Sequence, residues 1–260
     1  MKYLKTFENY SENETVLNIN GNSYFEFPEE FLPLKNTLKN LNCFRNNLSV
    51  LPELPESLTI LSCGSNNLSV LPKLPESVIE IDCYKNNLSV LPELPESLIK
   101  LNCGVNKLSF LTKLPTSLEL LDCYNNKNLS ILPELPESLT ILSCWGCNLS
   151  VLSELPKSLT ELYCYENKLS VLPELPKSLI EIYCGDNPWI EPIPLEYYNL
   201  AKDKNDIYNQ KQEEKFGSYE FQKEFIEKYP FRIKDLEPIG VDPKIKKEYA
   251  YLFDFDQYLD

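Results

Sequence analysis

Residues 51–70 read LPELPESLTILSCGSNNLSV, and residues 71–90 read LPKLPESVIEIDCYKNNLSV. Two in-register copies of a 20-residue unit are enough to ask for a repeat architecture before any other reading. Further copies start at Leu91, Leu111, Leu132, Leu152 and Leu172, and a divergent one at Phe31, making eight units. The unit from Leu111 has 21 residues, with the extra one near Asn128. Within a unit the spacing is L-x-x-L-x-C-x-x-N-x-L, for example Leu58, Leu61, Cys63, Asn66 and Leu68. Leu61 and Cys63 alternate with period two, which predicts a short strand. One such unit cannot bury its apolar side alone, whereas stacked units bury it together, so the pattern predicts a solenoid with a continuous core.

The flanking Leu-Pro-x-Leu-Pro stretch holds most of the 20 prolines of the chain. Proline fixes φ and lacks an N–H, so the back of each coil is expected to be extended or polyproline-like, not helical. Asn46, Asn66, Asn86, Asn106, Asn126, Asn167 and Asn187 recur three residues after a cysteine. Their amides are expected to form a ladder that satisfies backbone groups at the turn after each strand.

This LPxLPxSLxxLxC form resembles the leucine-rich repeats of the short, 20-residue class. That class includes the repeat domains of IpaH- and YopM-type bacterial effectors, and the Pro-x-Ser-Leu element is similar to FNIP-type repeats of amoebae and their large viruses. The resemblance covers about residues 31–190. It implies a solenoid with a parallel sheet on its concave face and a protein-binding role.

Three segments follow: an N-terminal cap over 1–30, eight repeats over 31–190, and a mainly helical cap or docking module over 191–260. Residues 15–29 look like a degenerate first coil, with Leu17, Ile19 and Tyr24 in core slots. Trp189 takes the slot used earlier by Leu149 and Leu169. Beyond Pro194, residues 196–215 and 217–229 read as helices, with a third at about 243–252 that starts at Asp242-Pro243.

Composition narrows the function. The 260 residues carry a net charge of −14, include no histidine, and are 43% hydrophobic. An acidic chain repels phosphate backbones, so no nucleic acid is expected as partner. No apolar run approaches the roughly 18 residues of a membrane span, so no membrane partner is expected either. The first ten residues hold no apolar signal-peptide core. Lack of histidine removes serine-triad, Cys–His and His-ligated metal chemistry. No phosphate loop, carboxylate pair or metal spacing stands out, so the expectation is no enzyme and no cofactor.

Eight of the nine cysteines share one repeat position: Cys43, Cys63, Cys83, Cys103, Cys123, Cys144, Cys164 and Cys184. There they act as small buried hydrophobes. Neighbouring parallel strands rarely suit a disulfide, so free thiols and an intracellular, reducing compartment are expected. The resemblance to secreted effectors adds the host cytoplasm as a destination. Cys144-Trp145-Gly146-Cys147 is a C-x-x-C, for which a redox or metal role competes with a structural one.

Residues flanking the inward Leu and Cys point out of the sheet. The column after the cysteines reads Phe44, Gly64, Tyr84, Gly104, Tyr124, Trp145, Tyr165, Gly185, and the neighbouring columns add Tyr163, Tyr183, Glu161 and Glu181. Tyr and Trp are favoured binding anchors, and carboxylates beside them favour Lys or Arg on the other side. Phe44, Tyr84, Tyr124, Trp145, Tyr163, Tyr165, Tyr183, Glu161 and Glu181 are therefore the candidate partner-binding residues. The convex carboxylates, among them Glu53, Glu56, Glu76 and Glu174, read as solvating charge. The expected function is a non-enzymatic protein–protein interaction module, as a monomer or in weak self-association, with a basic protein partner. Two alternatives stand beside it. One is the substrate-recognition adaptor of a ubiquitin ligase, or a secreted or viral effector. The other is a structural subunit of a larger assembly.

Overall fold

The structure is a computed structural model, which describes residues 15–28 and 37–188, together with Lys223, Pro243 and Lys244. Nine three-residue strands repeat through the described coils. They are β1 (Val16–Asn18), β2 (Asn40–Asn42), β3 (Ile60–Ser62), β4 (Glu80–Asp82), β5 (Lys100–Asn102), β6 (Leu120–Asp122), β7 (Ile141–Ser143), β8 (Glu161–Tyr163) and β9 (Glu181–Tyr183). They form one parallel sheet in chain order, and each strand pairs with the next. The register puts equivalent repeat positions side by side, as in Leu61↔Ile81 and Leu101↔Leu121. The chain is thus a β-solenoid whose period is that of the sequence.

The central residue of every strand is buried, and the ladder cysteine that follows it is fully or almost fully enclosed. From Cys43 to Cys164 each ladder cysteine N–H still donates to the next strand, as Cys63 N does to Asp82 O at 2.8 Å. Leu58 and Leu68 close the same core from either side of the strand. β1 extends this core at the N-terminal end through Leu17 and Ile19, with Tyr24 packed against it. The Leu-Pro-x-Leu-Pro backs adopt no helix, as the prolines require.

Two side-chain ladders join the coils. Asn66 Nδ2 donates to Cys43 O at 2.9 Å and Cys63 O at 3.0 Å, while its Oδ1 accepts from Leu48 N at 3.0 Å. One carboxamide therefore satisfies three buried backbone groups across two coils, and the other ladder asparagines repeat the arrangement. On the opposite side, Ser77 Oγ lies 2.7 Å from Glu56 O and 2.6 Å from Leu58 O, and shares its one proton between those carbonyls. Ser97, Ser117, Ser138, Ser158 and Ser178 do the same in their coils.

The asparagine reaches inward because the chain reverses at the residue before it. That residue is left-handed in every coil, with φ of 54° at Arg45, 53° at Lys85, 52° at Val105 and 52° at Glu166. L-residues adopt this conformation at a cost of about 1–2 kcal/mol, and Gly146, at 64°, holds it without that cost.

One coil departs from the pattern. Cys147 replaces the ladder asparagine, and its thiol donates to Cys123 O at 3.4 Å. A thiol is a poor substitute for the missing carboxamide acceptor. None is needed, because the extra residue of the preceding coil lets Leu129 N donate to Asn126 O at 2.9 Å. The insertion and the lost asparagine compensate each other. Trp189 and the helices expected over 196–215, 217–229 and 243–252 lie outside the described residues, although Lys223, Pro243 and Lys244 are helical.

Candidate functional site

The residue directly after each ladder cysteine projects from the sheet, and the strict register aligns these residues in one column. Tyr124 and Trp145 stack with ring centroids 4.7 Å apart and planes 10° from parallel. Trp145 and Tyr165 stack at 5.0 Å and 7°. A strand spacing of about 4.8 Å is close to an aromatic stacking distance, so three adjacent coils with a ring at this position form a continuous pile.

Glycines govern the rest of the column. Tyr84 and Tyr124 stand two coils apart, yet their centroids are only 6.0 Å from each other. They close over Gly104, where a Cβ would lie 2.7 Å from the Tyr124 ring. Phe44 lies over Gly64 in the same way, with a Cβ there 2.8 Å from its ring. These two glycines are the site residues that the sequence reading passed over. Their signal was present as the only two glycines interleaved with rings in the column before its end at Gly185.

A second stack stands beside the first. Tyr163 and Tyr183, on β8 and β9, lie 5.2 Å apart and 12° from parallel. The Tyr163 hydroxyl is 2.8 Å from Glu161 Oε2 and 3.1 Å from Glu181 Oε1, on paired strand positions. Burial and the two carboxylates beside it hold its proton well above the ordinary phenol range. Burial pushes Tyr124 up to about 12, with Tyr84 and Asp122 adding to the effect. Tyr124 and Tyr163 are therefore neutral hydrogen-bond donors at physiological pH. The structure thus brings Tyr84, Tyr124, Trp145 and Tyr165 together, and Tyr163, Tyr183, Glu161 and Glu181 together beside them. Phe44 stands apart, over Gly64.

Not every polar residue of this face is available to a partner. Asp82 Oδ1 accepts from Tyr84 N at 3.0 Å, and Asn42 and Asn102 do the same for Phe44 and Gly104. These side chains shape the turn that launches the rings. Glu80 pairs with Lys100 at 3.9 Å.

The thiols are not poised for chemistry. All nine cysteines are free and buried. Burial raises every one, to about 12 at Cys43 and Cys184 and about 11 at Cys147, and neighbouring ladder sulfurs raise Cys63 and Cys144 further. A thiolate is the reactive form, so this ladder is inert packing. Among the described residues, no group of three His, Cys, Asp or Glu side chains converges to hold a metal.

A further surface feature was not anticipated. Val50, Val70, Val90, Phe110, Ile131, Val151 and Val171 are all exposed, one per coil, each between two inward leucines that are buried or, at Leu172, half-buried. The period alone marks them, as the third residue of each Leu-Ser-x-Leu.

Coil, register and asparagine ladder together define a leucine-rich-repeat protein of the short, 20-residue class, of the YopM/IpaH type. No family model matches the chain, and no curated protein matches it significantly. Among solved structures it is similar to YopM from Yersinia enterocolitica, at 34% identity and a TM-score of 0.68, over 73% of this chain and 42% of that one. It is similar also to YopM from Yersinia pestis, described as a leucine-rich effector protein, at 36% identity and 0.63, over 66% and 49%. The functional domain of InlJ from Listeria monocytogenes, which includes a cysteine ladder, shares the fold at 24% identity and 0.57, over 69% and 46%. This chain therefore spans less than half the length of each of these proteins.

Proposed function

We propose that this leucine-rich-repeat module binds a protein partner without catalysis, through the ringed, acidic outer face of its sheet. The observation that carries the reading is the pile Tyr124–Trp145–Tyr165, joined by Tyr84 over Gly104. Stiff, partly exposed rings lose little entropy on binding and bury much apolar area. The carboxylates of Glu161 and Glu181 beside them favour a partner that presents Lys or Arg. Nine buried free thiols support a reducing, intracellular setting. The likeness to YopM, a leucine-rich effector protein, supports an effector role for this chain, and the buried free thiols are compatible with a host cytoplasm as its setting.

The test compares capture of partners from candidate host lysate by the native chain and by a Tyr84/Tyr124/Trp145/Tyr165→Ala variant of unchanged circular dichroism. Capture lost in the variant supports the sheet face, and capture retained rejects it. One observation favours a second reading, a structural subunit of an assembly: the exposed apolar column from Val50 to Val171. Under that reading the ring variant keeps its partner, and Val70→Ser with Val90→Ser and Val151→Ser loses it.

A further inference from the structure

The left-handed turn residues, two positions after each ladder cysteine, form a rim beside the ring column. This rim is charged unevenly. Its early coils carry Arg45 and Lys85, its last two coils carry Glu166 and Asp186, and all four are exposed. Ser65, Val105, Asn125 and Gly146 between them are uncharged. Lys107 and Lys127, slightly further round the turn, extend the positive end. Lys168 enters the negative end, where Glu161 and Glu181 outweigh it. The ion pairs among the described residues, Lys100–Glu80 and Lys113–Glu96, engage none of the four rim charges. A chain of net charge −14 thus keeps a positive end on the face that bears its rings.

The spacing matches an extended chain. At about 4.8 Å per strand, Lys85 and Glu166 are about 19 Å apart, and Arg45 and Asp186 about 34 Å. Extended backbone advances about 3.3 Å per residue, so about six to ten residues bridge these charges. The rings lie between them.

We infer that the face takes an extended peptide segment with separated charges. Its carboxylates lie against Arg45 and Lys85, its Lys or Arg against Glu166, Asp186 and the Glu161–Tyr163–Glu181 cluster, and its apolar residues on the rings. This rests on the sheet-face reading above and adds the orientation and the acidic half of the ligand. Exposed pairs of this kind contribute little singly, but the wrong order places like charges together, so polarity selects register.

Three synthetic peptides of about twelve residues, a length set by the rim, provide the test. One has glutamates grouped at one end, arginines at the other and an apolar middle. The second alternates the same residues. The third carries arginines only. Each is titrated at low salt against the full chain with Trp189→Phe, so that Trp145, the remaining tryptophan, reports alone. The grouped peptide is expected to bind about fivefold more tightly than its alternating isomer. Arg45→Glu with Lys85→Glu abolishes that preference and leaves the all-arginine peptide no weaker. Adding Glu166→Lys and Asp186→Lys restores it, because the peptide can turn end for end. Lysine and glutamate already occupy this turn in other coils, so these variants keep the backbone. Equal binding of the two isomers, or a preference that survives the Arg45/Lys85 reversal, overturns the inference and leaves the sheet-face reading standing. A Trp145 signal unmoved by every peptide overturns both.

Discussion

Asp82 and Asn102 occupy the same repeat position and do the same work, each accepting the N–H two residues ahead. The difference between them is charge. Burial raises the Asp82 carboxyl above its ordinary value, the Tyr84 N–H lowers it in part, and Glu80 raises it again. A carboxyl raised by folding destabilises the native state when ionised. That penalty is absent below the unfolded carboxylate range, grows as pH rises from about 4 to the folded value, and is fully present above it. Asp82→Asn keeps the acceptor and removes the charge. Its melting temperature is expected to exceed that of the native chain at pH 7, with the gain vanishing near pH 4. A gain of equal size at both pH values would show that charge is not the cause.

The coil is the element of this protein, and the asparagine ladder is what makes coils add. Asn86 Nδ2 lies 3.1 Å from Cys63 O and from Cys83 O, and Oδ1 receives Leu68 N at 3.0 Å. Asn86→Ala leaves those buried groups unsatisfied and is expected to destabilise by about 3 kcal/mol in denaturant unfolding. Cys147→Asn restores the consensus, yet it is expected to give no gain. Leu129 N already has a partner, so the new carboxamide oxygen would be buried without its donor. A stabilising Cys147→Asn would refute the compensation between insertion and substitution. The asparagine ladder was legible in the sequence from spacing alone. This compensation was not, because it joins a backbone bond in one coil to a side chain in the next.

In the solenoid as a whole each coil packs mainly on its neighbours, with Tyr84 reaching Tyr124 over Gly104 as an exception, so stability is close to a sum of coil and interface contributions. Coils nearer the ends of the described sheet open more readily than central ones, because fewer coil–coil interfaces must break to release them. The buried thiols report this directly, because each becomes reactive only when its coil opens. Pulsed thiol labelling under mildly destabilising conditions is expected to modify Cys184 and Cys43 before Cys103 and Cys123. Simultaneous labelling of all four would indicate that the array opens as a single unit. The ring pile depends on the same neighbour-to-neighbour geometry, since Tyr124, Trp145 and Tyr165 sit on consecutive coils.

Repeat spacing and strand alternation already set the period, the solenoid, the inward leucines and cysteines, and the column on which the rings stand. A 20-residue repeat leaves one way to bury its apolar face, and strand alternation then assigns every other residue to a side. Tertiary structure alone decided which rings meet. Tyr84 reaches Tyr124 because Gly104 leaves the space between them empty, whereas Phe44 settles on Gly64. It also decided how the acids of this face are used: Asp82 turns back to its own backbone, while Glu161 and Glu181 converge on one phenol. Period and alternation give a residue its side of the sheet, but the lean of its side chain depends on what the next coil leaves room for.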